Sequence, residues 1–180
     1  MVVGIAELLL RVQRDGLVSH LSEREISAPE GCGFDLRLGT IARVVGGGSL
    51  GLEERETSQT ELLTSIETTD LGSFIALEPY TIYLVQTVEE VKLPADLVGS
   101  VTPRSTLYRS GIAFQSGAVM PGYQGVLTFG IENRSSLPFR LALGARICHI
   151  LFHHVQGGAA PYRGQWQGGR MSTPGSEKQI

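Results

Sequence analysis

Residues 97–133 read LVGSVTPRSTLYRSGIAFQSGAVMPGYQGVLTFGIEN, and the reading of this stretch decides the fold. Its opening, residues 97–101, is apolar and strand-like, and Pro103 then ends the ladder because it has no backbone N–H to donate. Arg104 and Arg109 follow, five residues apart, with the hydroxyls of Ser105 and Thr106 between them in a polar turn. Guanidinium groups suit bidentate contacts with phosphate oxygens, and hydroxyls add adaptable donors. Gly111 and Gly117 flank the next segment. Met120-Pro121-Gly122-Tyr123 then fits a type II turn, which needs a positive φ at its third residue. Residues 126–132 alternate as a strand, with Leu127, Phe129 and Ile131 on one face and Thr128, Gly130 and Glu132 on the other.

Outward from this stretch, strands dominate. Before it, Phe34, Leu36 and Leu38 alternate with Asp35 and Arg37, so residues 33–45 form one or two strands. The run Gly46-Gly47-Gly48-Ser49 marks a hairpin tip, and residues 53–70, polar and without a period, read as a long loop with edge-strand pieces. Residues 74–77 and 80–89 are two strands meeting at Glu78-Pro79. After it, residues 134–136 read as a hairpin loop, and residues 138–143 and 146–155 as strands on either side of Gly144. Only the start is clearly helical: Ile5, Leu8, Leu9 and Val12 recur at helical spacing over residues 4–15, with Gly16 as C-cap. Ser22 to Glu25 begin a second helical turn that Pro29 and Gly31 cut short. The pattern predicts a single mostly β domain, a sandwich or jelly-roll-like barrel. Residues 1–30 would be a helical segment, 31–156 the β core and 157–180 a tail too polar to build a core of its own.

Composition narrows the partners. Fifteen basic against eighteen acidic residues leave a net charge of −3, so general affinity for nucleic acid is not expected, whereas a local basic pocket for one triphosphate is. Cys32 and Cys148 read as two buried thiols in a reducing cytoplasm. No apolar run approaches a membrane span. Alternation puts His149 and His153 on one strand face and Cys148 and His154 on the other, so no metal site is expected from them. The zinc deaminase signature is absent as well.

PRSTLYRSGI, GAVMPGYQG and LTFGIEN, in that order, resemble the core of the dCTP deaminase/dUTPase family. GCGFDLRLG resembles that family's N-terminal signature, LPFRLALGARICHILF its closing strands and PYRGQWQGG its ordering tail. The resemblance runs from about residue 5 to about residue 170. It implies a distorted β-barrel with a short N-terminal helix, assembled as a homotrimer whose sites lie between subunits. It also implies a deoxynucleoside triphosphate ligand with Mg²⁺ carried on the phosphates. By the same resemblance Arg104, Ser105, Thr106 and Arg109 hold the triphosphate, and Ser105 and Arg109 also place the water and the base. Tyr123 packs under the deoxyribose, Thr128 joins it from the next strand, and Tyr162, Gln165 and Arg170 of the tail reach the nucleotide. His149 falls where many dUTPases have a Gln near the phosphates.

Two positions depart from the family pattern. Its deaminases carry a Glu, acting as general base, at the position of Gly130, and its dUTPases an Asp at that of Met120. Neither residue here accepts a proton. Glu132 lies on the same strand face as Gly130, roughly 6–7 Å along, and is the candidate for a relocated base. The family branch closest to this sequence is the dCTP deaminase; a dUTPase and a non-catalytic dNTP-binding member are the alternatives.

Overall fold

The structure, a computed structural model, describes residues 1–179. In chain order it contains α1 (Ile5–Asp15), β1 (Val18–Ser19), α2 (Glu23–Ser27), β2 (Gly33–Val45), β3 (Ser49–Leu50), β4 (Glu54–Glu56), β5 (Gln59–Ser65) and β6 (Phe74–Leu77). Then come β7 (Ile82–Lys92), β8 (Leu97–Pro103), α3 (Ser105–Arg109), β9 (Ile112–Gln115), β10 (Ala118–Val119) and β11 (Gln124–Asn133). The chain closes with β12 (Phe139–Ala142), β13 (Arg146–His154) and β14 (Glu177–Lys178).

Nine strands form one curled antiparallel sheet in the order β10-β8-β13-β2-β7-β11-β9, with β5 added beside β2 and β1 beside β7. The thirteen-residue β2 joins the two halves of the curl: its start pairs with β13 and its end with β5 and β7. The register slips between Leu38 and Thr40. Gly39 sits in this bulge because a Cβ there would lie 2.9 Å from the carbonyl oxygen of Thr87. A bulge bends its strand, so β2 can serve both halves.

The apolar alternation packs inside this curl. Phe34, Leu36 and Leu38 meet Tyr83, Val85, Phe129, Ile131, Ile150 and Phe152, all buried. Each such side chain contributes about 1.5–3 kcal/mol when fully removed from water. Helix α1 closes one end by burying Leu8, and it stops at Gly16, whose φ of 66° suits a left-handed cap. Three charged residues, Glu25, Asp35 and Glu89, are also buried. Glu89 accepts from the backbone N–H and the side chain of Arg37, and burial pushes its carboxyl above the ordinary range despite that pairing.

Several expectations change. Residues 104–109 are not an irregular turn but run into the one-turn helix α3. The edge-strand pieces expected within 53–70 are β4 and β5, of which β5 is a full seven-residue strand added to the main sheet beside β2. The segment lacked a visible period because β5 is exposed along most of its length. Strands β6 and β7 do not pair with each other; β6 pairs with β12 in a separate two-stranded sheet. Nor do residues 134–136 close a hairpin. The buried Asn133 amide donates to the carbonyls of Leu77 and Leu137, 2.8 Å each, and directs the chain across to β12. No described helix is long and apolar enough to cross a membrane.

Candidate functional site

The predicted site residues fall into two groups. The first gathers at the end of β8, where the backbone N–H of Arg104 donates to Ile147 of β13. There the Arg104 guanidinium reaches both carboxylate oxygens of Asp35 on β2, at 3.1 and 2.9 Å. Arg146 and His149, both on β13, reach the same carboxylate at 2.8 Å each, and Arg24 stands 3.8 Å away. Burial alone would push the Asp35 carboxyl up. The His149 hydrogen bond and the charges of Arg104, His149 and Arg146 outweigh it and hold the group below the usual carboxylate range. The result is a cluster of half-exposed arginines oriented by one buried anion. Ser105, Thr106 and Arg109 are exposed beside it on α3.

The second group surrounds a cavity of about 480 Å³ on the other face of the sheet from the core. Its floor is β11, where Thr128 and Gly130 point outward as the alternation requires, together with Leu84 of β7. One wall is the turn before β11. The N–H of Tyr123 donates to the carbonyl of Met120 at 3.1 Å, and Gly122 has φ 83°, which together give the expected type II turn. The Tyr123 ring is buried and its hydroxyl donates to the Val126 carbonyl. Burial, helped by the neighbouring Tyr162, pushes the Tyr123 hydroxyl up to about 12.

The roof is the tail, folded against its own chain. Tyr162 meets the Tyr123 ring edge-on at 5.5 Å between centroids. Gly168 pairs with Gly125, and the carbonyl of Gly169 accepts from Gln86 and Thr128. Trp166 is stacked by two guanidiniums, Arg55 at 4.4 Å and Arg170 at 5.1 Å. Glu177 links both arginines, and Thr57 and Thr173 exchange hydrogen bonds nearby. Strand β14 then pairs with β4. A polar tail without a core is thus held by cation–π contacts and ion pairs.

Residues 6–155 match the model of the dCTP deaminase-like family. The chain belongs to that family. It is 31% identical over 161 residues to the dCTP deaminase of Thermococcus kodakarensis, covering 89% of this chain and 90% of that protein. It is also 30% identical over 136 residues to a probable deoxyuridine 5'-triphosphate nucleotidohydrolase of Methanopyrus kandleri, covering 74% of this chain and 84% of that one. In fold it resembles the crystal structure of 2'-deoxycytidine 5'-triphosphate deaminase from Agrobacterium tumefaciens, with TM-score 0.62 and 23% identity over 84% of this chain. This chain spans 47% of that protein.

Within this family member, one chain brings Tyr123, Thr128, Tyr162 and Arg170 to a single cavity; Arg104, Ser105, Thr106 and Arg109 do not line it. Gln165 is directed away and donates to the carbonyl of Lys178. Glu132 shares the face of Gly130, as expected, but it accepts from Arg134 at 2.8 Å and lies outside the lining. No described Asp or Glu lines the cavity. Sequence reasoning missed Asp35, Arg24 and Arg146 as members of the basic cluster. The one available signal was an acidic residue inside the apolar alternation of β2.

Proposed function

We propose that this protein binds a pyrimidine deoxynucleoside triphosphate and acts as a dCTP deaminase, converting dCTP and water to dUTP and ammonia. The observation that carries the proposal is the cavity walled by Tyr123, Thr128, Gly130 and Tyr162, an aromatic and mostly apolar space of nucleoside size. Its wall at Tyr123 takes the deoxyribose, and the strand face of Thr128 and Gly130 takes the base. The triphosphate, with its Mg²⁺, goes to Arg104, Ser105, Thr106 and Arg109, whose arginine is oriented by Asp35. These groups do not line the cavity of their own chain, so a complete site combines the cavity of one copy with the basic turn of another in a homotrimer. Light scattering that returns a stable monomer sinks this arrangement. The two unpaired cysteines fit work in the cytoplasm.

Deamination requires a group that takes a proton from water and delivers it to the ring. Ser105 and Arg109 position the water and the base, and Glu132 supplies the carboxylate once it leaves its pairing with Arg134 outside the cavity. A second reading rests on a specific observation: with Gly130 and Met120 in place, no acid of the same chain lines the cavity, which favours nucleotide binding without turnover. The deciding experiment is incubation with dCTP, dUTP or dTTP plus Mg²⁺, with products resolved by chromatography. A uracil nucleotide from dCTP supports the deaminase, and its loss in Glu132→Gln supports the role of Glu132. Pyrophosphate from dUTP means a dUTPase instead. Binding without product means a dNTP-sensing or sequestering protein.

A further inference from the structure

Gly130 leaves the cavity floor without a side chain, and a neighbouring strand covers the gap. In the β11–β9 ladder Gly130 is paired directly with Gln115. A Cβ built on Gly130 would lie 2.5 Å from Gln115 Oε1 and 3.4 Å from both its Cβ and its Cδ. The Gln115 amide therefore lies across Gly130, in the volume a side chain at 130 would occupy. Gly130 lines the cavity, whereas Gln115 is an exposed residue at the end of the edge strand β9.

Several polar side chains of the lining are already bonded, although Arg170 Nε has no partner. Thr128 is bonded to Gln86 and to the carbonyl of Gly169. The Tyr123 hydroxyl donates to Val126, Thr57 exchanges bonds with Thr173, and Arg170 pairs with Glu177. These bonds hold the tail and the turn to the sheet or lie within the sheet or the tail. The amide at Gly130 takes no part in them.

We propose that Gln115 is a base-binding residue at the edge of this cavity, its side-chain amide holding the hydrogen-bonding edge of the bound pyrimidine and admitting either cytosine or uracil. The proposal rests on the reading of the cavity as the nucleoside site. A primary amide presents one acceptor and one donor group side by side. That pair complements the ring nitrogen N3 and the substituent at position 4 of a pyrimidine. Rotation about the last side-chain torsion exchanges the two, so the amide serves cytosine, with its amino donor, and uracil, with its carbonyl acceptor. A carboxylate at this position has acceptors only, so with either ring it accepts from one donor and opposes one acceptor. A leucine serves neither.

The test is calorimetric titration of the full chain with dCTP, dUTP and inorganic tripolyphosphate, on the wild type, Gln115→Leu and Gln115→Glu. Loss of the base contacts in Gln115→Leu weakens both nucleotides by about tenfold, the scale of one or two hydrogen bonds, and leaves tripolyphosphate unchanged. Gln115→Glu, close to isosteric, keeps one contact and sets an acceptor against the other, so it too weakens both nucleotides by about tenfold. If both variants bind both nucleotides within about twofold of wild type, the assignment of Gln115 is overturned while the nucleoside site stands. If tripolyphosphate weakens in parallel with the nucleotides, the change is a local disruption, and the assignment is again overturned. A wild type that binds nucleotides no better than tripolyphosphate refutes the nucleoside site itself, and Gln115 with it.

Discussion

Asp35→Asn is the most informative single change, because it removes charge from the basic cluster while keeping the shape of the side chain. The Asp35 side chain is only 4% exposed, and Arg104, Arg146 and His149 all bond to it. Asparagine keeps one acceptor, but it turns an NH₂ donor toward guanidinium donors. Breaking a buried ion pair by removing one partner costs about 3–5 kcal/mol when the remaining charge stays buried. Here Arg104 and Arg146 are 38% and 37% exposed and can turn to water, which lowers the expected loss to about 2–3 kcal/mol. For a chain of this length that corresponds to a fall in Tm of roughly 4–12 °C. The native Asp35 carboxyl lies below its ordinary value, so its contribution is fully present above the unfolded pKa of about 3.9 and is lost as pH falls through the lower native value. Thermal melts of wild type and variant, at one protein concentration and from neutral pH down to pH 3, check both points. The gap in Tm should be full at about pH 5 and above and should close in acid. A gap under about 1 °C at neutral pH, or one that does not narrow in acid, refutes the view that this carboxylate organises the cluster.

Arg104→Ala should weaken triphosphate binding by about 1.5–3 kcal/mol, the value of a charge-assisted contact, with the fold intact because Arg146 and His149 still hold Asp35; calorimetry with inorganic tripolyphosphate reads this directly. Gly125→Ala should release the tail, since Gly125 has φ 133° and a Cβ there would lie 2.6 Å from the Gly168 Cα; stronger acrylamide quenching of Trp166 reports the release, and unchanged quenching would show the tail held elsewhere. Tyr123 should stay protonated until about pH 12, so spectrophotometric titration should show a tyrosinate step near that pH which is absent from Tyr123→Phe.

What the sequence determined by itself was local. Alternation over β2, β11 and β13, helical spacing before Gly16 and the Met120–Tyr123 turn each follow from the conformational preferences of neighbouring residues, and they suffice for the class of fold. The motif order was enough for the family. Strand β5 was legible only as an edge-strand piece of a loop, because an edge strand exposed along most of its length carries no apolar period. The tertiary structure alone decided which distant residues meet. Asp35, Arg104, Arg146 and Arg24 become neighbours only because β2, β13 and β8 lie side by side and α2 packs at their end. Gln115 covers Gly130 only through the register of β9 on β11. Arg55 reaches Trp166, more than a hundred residues later in the chain, only because β14 pairs with β4. Strand order and register are set by the closure of the whole core, in which each local segment has several possible partners, and no short stretch of sequence encodes that choice.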